Sequence, residues 1–139
     1  HQVREREVEV EVGDLPEIIS DRLAVEQIFF NLIDNAIKFM KPDAPGWIRI
    51  SGQERGLQVR LVVEDNGRGI DPKDHQRIFE LFRRSGPQSV AGEGMGLAYV
   101  VTLLRRLGGT IDVESELGQG AKFTITMPKI LAQSKRLAA

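Results

Sequence analysis

The chain has 139 residues, 41% of them hydrophobic and 28% charged, which fits one globular domain with room for a two-layer core. Nineteen basic residues against 20 acidic ones leave a net charge of −1, so nothing draws the chain to nucleic acid or an anionic membrane, and any bound anion needs a local site. The lack of cysteine excludes disulfides and thiolate metal centres, and the longest apolar run, Ile28-Phe29-Phe30, falls far short of the roughly 18 residues a bilayer span requires.

Residues 3–12 alternate, with valines at 8, 10 and 12 set between acids. That period of two predicts a half-exposed strand at a sheet edge, and it does not read as a signal peptide. The start at His1, inside this strand, is expected of a piece of a longer protein. Gly13-Asp14-Leu15-Pro16 breaks the strand, and Ser20 or Asp21 offers an N-cap for a helix reaching about Met40. Val25, Ile28, Phe29, Leu32, Ile33 and Ala36 recur along it at three and four residues, and Pro42 and Pro45 stop it.

A hairpin of strands over 47–54 and 57–64 follows, turning at Arg55-Gly56, and leads into the loop Asp65-Asn66-Gly67-Arg68-Gly69. Asp71-Pro72 opens a short helix to about Phe82. Residues 83–95, with Gly86, Pro87, Gly92 and Gly94, read as a loop, and a helix runs from Gly96 to Leu107 with Gly108 as its stop. Strands over 110–115 and 121–127 end the pattern, joined by Gly118-Gln119-Gly120. The predicted fold is α+β: a two-layer sandwich of a mixed, mostly antiparallel sheet with helices on one face. It occupies residues 1–128 as one domain, and 129–139 reads as a weakly specified tail.

Asn31, Asn35 and Lys38 lie at i, i+4 and i+7 and form one polar stripe, assigned here to the side opposite the apolar face. A solvated face is one reading of such a stripe. Asparagine, however, is a poor residue inside a helix, and a carboxamide oxygen suits magnesium shared with phosphate. Asp65, at the end of a strand, has the chemistry to accept a hydrogen bond from an exocyclic amine, with Gly67 and Gly69 letting the backbone approach a flat base; the same five residues also read as an ordinary turn. Gly92-Glu93-Gly94-Met95-Gly96 before a helix offers backbone N–H groups and a positive dipole end to phosphate. No Walker motif and no protein-kinase catalytic loop is present. Gly118-Gln119-Gly120 reads by itself as a hairpin turn, and His75 as a surface histidine.

Taken together, these segments resemble the boxes of sensor histidine kinases. Asn31 to Phe39 is similar to the N box, Asp65 to Gly69 to the G1 box, and Ile78 to Phe82 to the F box. Gly92 to Leu97 is similar to the G2 box and Gly118 to Gly120 to the G3 box, so the likeness covers about residues 3–128 in the right order. The resemblance implies the Bergerat ATP-binding fold shared with gyrase-type ATPases, and ATP and Mg2+ as ligands. It assigns the metal to Asn35, adenine to Asp65, and phosphate to Lys38 and the glycines Gly92, Gly94 and Gly96. It makes 83–95 an ATP lid with Arg84 as its arginine. It further implies nucleotide contacts by Asn31, Gly67, Gly69, Ile70, Phe82, Met95, Leu97 and Thr124, with Asn31, Lys38 and Arg84 as the catalytic set.

Hydrolytic members of that superfamily carry a glutamate four residues before the metal-binding asparagine. Asn31 stands there and cannot take a proton near neutral pH, which removes general-base help worth about 10²–10⁴ in rate. The resemblance therefore implies an ATP-dependent protein-histidine kinase in two-component signalling. Its acceptor is a histidine on an upstream dimerisation domain, and a response-regulator receiver domain lies downstream in the relay. The whole protein is expected to be a homodimer whose catalytic part is cytoplasmic, with no membrane contact by these residues even if the full protein is membrane-anchored. A serine kinase of the anti-sigma-factor type and a non-catalytic ATP-binding module are the competing readings.

Overall fold

Valine–glutamate alternation builds a first strand, β1 (Val8–Val12), which stands at the edge of the described sheet, paired with β2 (Gly46–Arg55) and parallel to it. The computed structural model describes residues 8–71, 73 and 93–131. Between the two parallel strands runs helix α1 (Arg22–Lys38), the crossover that parallel pairing requires. Of the two candidate caps Asp21 is used: its Oδ1 accepts the Ala24 N–H at 3.1 Å.

The hairpin forms with its turn one residue later than read, at Gly56-Leu57, because Arg55 still pairs with Gln58; β3 (Gln58–Asp65) is antiparallel to β2 and Gly56 is in the left-handed region at φ 64°. Helix α2 (Glu93–Arg106) begins three residues before the expected Gly96, so Gly94, Met95 and Gly96 belong to its first turn and not to a loop. A glycine costs a helix only about 1 kcal/mol, little against the packing of the turns that follow. Gly108 (φ 77°) closes α2, letting the Gly109 N–H reach the Leu104 carbonyl at 2.8 Å.

Strands β4 (Thr110–Glu116) and β5 (Gly120–Pro128) complete a five-stranded sheet in the order β1-β2-β3-β5-β4, antiparallel except at the β1–β2 pair. Alternate residues of the central strands, such as Ile48, Val59, Val63, Phe123, Ile125 and Met127, are buried. Ile28 and Leu32 of α1 and Val100 and Leu104 of α2 belong to the same core. The expected two-layer α+β sandwich is the observed one.

The chain stays tied to the domain just past the last strand. The Lys129 N–H donates to the Leu57 carbonyl, the Ile19 N–H to the Lys129 carbonyl and the Leu131 N–H to the Ile19 carbonyl, each at 2.8 Å, and Leu131 joins the core. Backbone groups just ahead of α1 need partners, and residues 129–131 supply them. Residues 132–139 lie outside the described part.

Candidate functional site

Two polar side chains are buried among the described residues, Asn35 and Asp65, each 7% exposed. Asn35 therefore does not sit opposite the apolar face of α1. Seven residues are nearly two turns, so Asn35 comes within about 20° of Ile28 around the helix and shares its inward side with Ile28 and Leu32. Its Oδ1 is buried without a hydrogen-bond partner, and so is Asn31 Nδ2 one turn earlier. The Asn31 Oδ1 accepts from Gln27 Nε2 at 3.4 Å. Buried polar atoms normally find partners, because leaving one unpaired costs about 1–3 kcal/mol. Two such atoms lie on adjacent turns of one helix.

Asp65 ends β3, and the loop behind it is fastened on three sides. Toward β2, Asn66 Oδ1 accepts the Trp47 N–H at 2.7 Å. Toward α1, the Arg68 N–H donates to the Phe39 carbonyl at 2.8 Å, and the Arg68 guanidinium lies 5.0 Å from the centre of the Phe39 ring. Toward the β4–β5 turn, the Gly118 N–H donates to the Arg68 carbonyl at 2.6 Å. These bonds bring the C-terminal end of α1, with Asn35 and Lys38, beside the Asp65 loop.

The glycines of this loop are explained first by backbone contact. A Cβ on Gly67 would lie 2.5 Å from the Phe39 carbonyl oxygen, and one on Gly69 (φ 79°) 2.0 Å from that of Glu116. Burial pushes the Asp65 carboxyl above its usual value, against the backbone hydrogen bonds from Gly67 and Ala121, which lower it, while neighbouring Glu64 adds to the rise. The Gly67 N–H meets Asp65 Oδ1 at 2.8 Å.

The remaining expected residues divide. Lys38 is partly exposed and paired with Asp34 at 3.2 Å. Ile70 packs against the edge of the core, Leu97 is inside it, and Gly94, Met95 and Gly96 form the first turn of α2. Thr124 does not join the others. Phe123 and Ile125 on either side of it are buried under the helices, so period-two alternation turns Thr124 to the opposite face, between Val62 and Asp112. Phe82, Arg84 and Gly92, with most of the expected lid and the short helix before it, lie outside the described residues. No group of three or more His, Asp or Glu side chains able to hold a metal occurs among the described residues. A magnesium ion here would need phosphate oxygens as well as a protein ligand, and the unpaired Asn35 Oδ1 fits that role.

Sequence reasoning passed over Ser115. The β4 residues turned inward are Ile111, Val113 and Ser115, and a serine closing a run of β-branched apolar residues was the available signal.

An α+β sandwich with buried, unpaired carboxamide groups beside a glycine loop defines a nucleotide-binding domain of the Bergerat kind. The profile of the "Histidine kinase-, DNA gyrase B-, and HSP90-like ATPase" family matches residues 20–131, and the chain belongs to that family, as the catalytic type of domain found in sensor histidine kinases. It is 37% identical over 128 residues to the phytochrome-like protein Cph1 of Synechocystis sp., covering 91% of this chain and 17% of that protein. To the alginate biosynthesis sensor protein KinB of Pseudomonas aeruginosa it is 36% identical over 128 residues, 91% of this chain and 21% of the relative. The chain thus spans about a fifth of the length of these relatives. The crystal structure of full-length ShkA in complex with AMPPNP superposes with a TM-score of 0.75 at 32% identity, over 94% of this chain and 27% of that one.

Proposed function

We propose that this domain binds Mg-ATP and donates the γ-phosphoryl group to a histidine on an upstream dimerisation domain, for onward transfer to a response-regulator receiver. The observation that carries this reading is the buried, unpartnered Asn35 Oδ1 beside the fastened Asp65 loop. Family membership and a relative solved with an ATP analogue support it.

In this reading the ionised Asp65, steadied by the Gly67 N–H on Oδ1, accepts a hydrogen bond from the adenine amine. Lys38 exchanges its partner Asp34 for a phosphate oxygen. The resemblance assigns Arg84 and Gly92 to the phosphate chain, and the first turn of α2 offers that chain the start of a helix. Asn35 would hold a magnesium ion, which would supply charge neutralisation to the phosphates. Asn31 orients without taking a proton, so water is not activated. The acceptor imidazole nitrogen bonds to the γ-phosphorus, the bond to the β–γ bridging oxygen breaks, and ADP leaves. The domain's contribution is positioning and charge compensation. The whole protein acts as a homodimer with this part in the cytoplasm; among the described residues no helix is long and apolar enough to cross a membrane.

Incubated with magnesium and γ-labelled ATP, this chain by itself should bind the nucleotide and acquire no phosphohistidine. A stable phosphohistidine formed on the chain alone would overturn the assignment of the acceptor to another domain.

A further inference from the structure

The Ser115 hydroxyl is bonded on both sides. It accepts the Ile70 N–H at 2.7 Å and donates to the Gly120 carbonyl at 2.6 Å. Ile70 ends the loop that begins at Asp65, and Gly120 opens β5, whose next residue, Ala121, pairs with Asp65 across the sheet. Gly120 itself, at φ 95°, lies so close behind Asp65 that a Cβ there would fall 2.1 Å from the Asp65 carbonyl oxygen. Gly69 makes the matching approach to Glu116. Two backbone segments therefore meet with no room for side chains, and Ser115 is the side chain whose hydroxyl joins them.

We propose that Ser115 is a positioning residue for base recognition: its hydroxyl locks the loop 65–70 onto the β4–β5 turn and so fixes the direction of the Asp65 carboxylate. This rests on the reading of Asp65 as the adenine contact. Ser115 touches no nucleotide; it acts through Ile70, Gly120 and the close packing behind Asp65. Without the hydroxyl, the part-buried Ile70 N–H and Gly120 carbonyl lose a shared partner, and the loop loses its tie at the Ile70 end. The consequence falls on the base and not on the triphosphate, because Asn35 and Lys38 are held by α1.

The test compares magnesium complexes of ATP and inosine triphosphate, which carries a carbonyl oxygen where adenine has its amine. Titrations use the 139-residue chain, Ser115→Ala, Ser115→Thr and Asp65→Ala. The wild type should prefer ATP, and Ser115→Ala should lose about tenfold in ATP affinity while inosine triphosphate binding stays within about twofold. Ser115→Thr, which keeps the hydroxyl, should restore the preference. If Ser115→Ala retains the wild-type ratio while Asp65→Ala loses it, the positioning role is wrong and the Asp65 reading stands. If both nucleotides bind the wild type equally and Asp65→Ala changes nothing, the Asp65 reading itself fails. Should Ser115→Ala not fold, Ser115→Cys, with its weak donor and acceptor, is read by the same ratio.

Discussion

On the solvent face of the sheet, Glu11, Arg49, Glu64, Lys122 and Glu114 stand in register across all five strands with alternating sign. On the helix-covered face, the polar side chains buried among the described residues are Asn35 and Asp65, and Asn35 keeps an atom without a partner. The outer row has opposite charges beside each other, water around them, and Arg49 both paired with Glu11 at 3.2 Å and stacked on Trp47. It settles strand register and adds little energy, since cross-strand pairs contribute about 0.2–1 kcal/mol each. The inner pair carries a desolvation cost with no compensating hydrogen bond at Asn35 Oδ1, which selection for stability alone would remove. On the proposed reading, function sits where the fold tolerates a cost, not where its charges are most numerous.

The largest effect expected from breaking the inner arrangement is at Asn35. Asn35→Ala should abolish the gain in unfolding free energy that Mg-ATP gives the wild type. Its unfolding free energy without nucleotide should stay within about 1 kcal/mol, because the side-chain oxygen it loses makes no hydrogen bond. Denaturant melts with and without Mg-ATP read both quantities. A large loss of stability without nucleotide would show that Asn35 is structural.

Next come the close backbone contacts behind Asp65. Gly69→Ala and Gly120→Ala each force a Cβ against a carbonyl oxygen at a positive φ, and each should cost about 2 kcal/mol or more in urea unfolding. Gly56→Ala, at a positive φ with open space around it, should cost only about 1 kcal/mol.

Asp65 gives a pH effect of opposite sign in two measurements. Burial raises its folded-state value above the usual 3.8, so the folded chain holds the proton more tightly than the unfolded chain does. Its contribution to stability is therefore greatest at low pH and falls as pH rises through the folded value. Adenine recognition needs the ionised form, so ATP affinity should fall severalfold on acidification through that same window above 3.8. Asp65→Asn should flatten both slopes, as paired melts and titrations over the acid range would record.

The smallest effect belongs to the outer row. Lys122→Ala should change stability by less than about 1 kcal/mol and leave ATP affinity unaltered, reading the ladder as a register device.

Periodicity and turn chemistry made most of the architecture legible. The valine–glutamate alternation marked an edge strand, the Asp21 cap and the Pro42 stop bounded α1, and Gly56, Gly108 and Gly118 fell at left-handed turns. What could not be read was depth. Spacing alone put Asn35 on a stripe, but only packing showed that the stripe borders the core beside Ile28. Thr124 went astray for the complementary reason, since a strand residue's face depends on which alternate set the helices cover. Ser115, Ile70 and Gly120 are 45 and 5 residues apart along the chain, and nothing local announces that one hydroxyl joins them.

The most direct test is a calorimetric titration of ATP into this chain, with magnesium and with a chelator, alongside Asn35→Ala. The wild type should bind ATP far more tightly with magnesium, and Asn35→Ala should lose that difference. Equal binding by the wild type in magnesium and chelator, or a full magnesium effect retained by Asn35→Ala, would contradict the claim that the unpaired carboxamide is the metal's protein ligand.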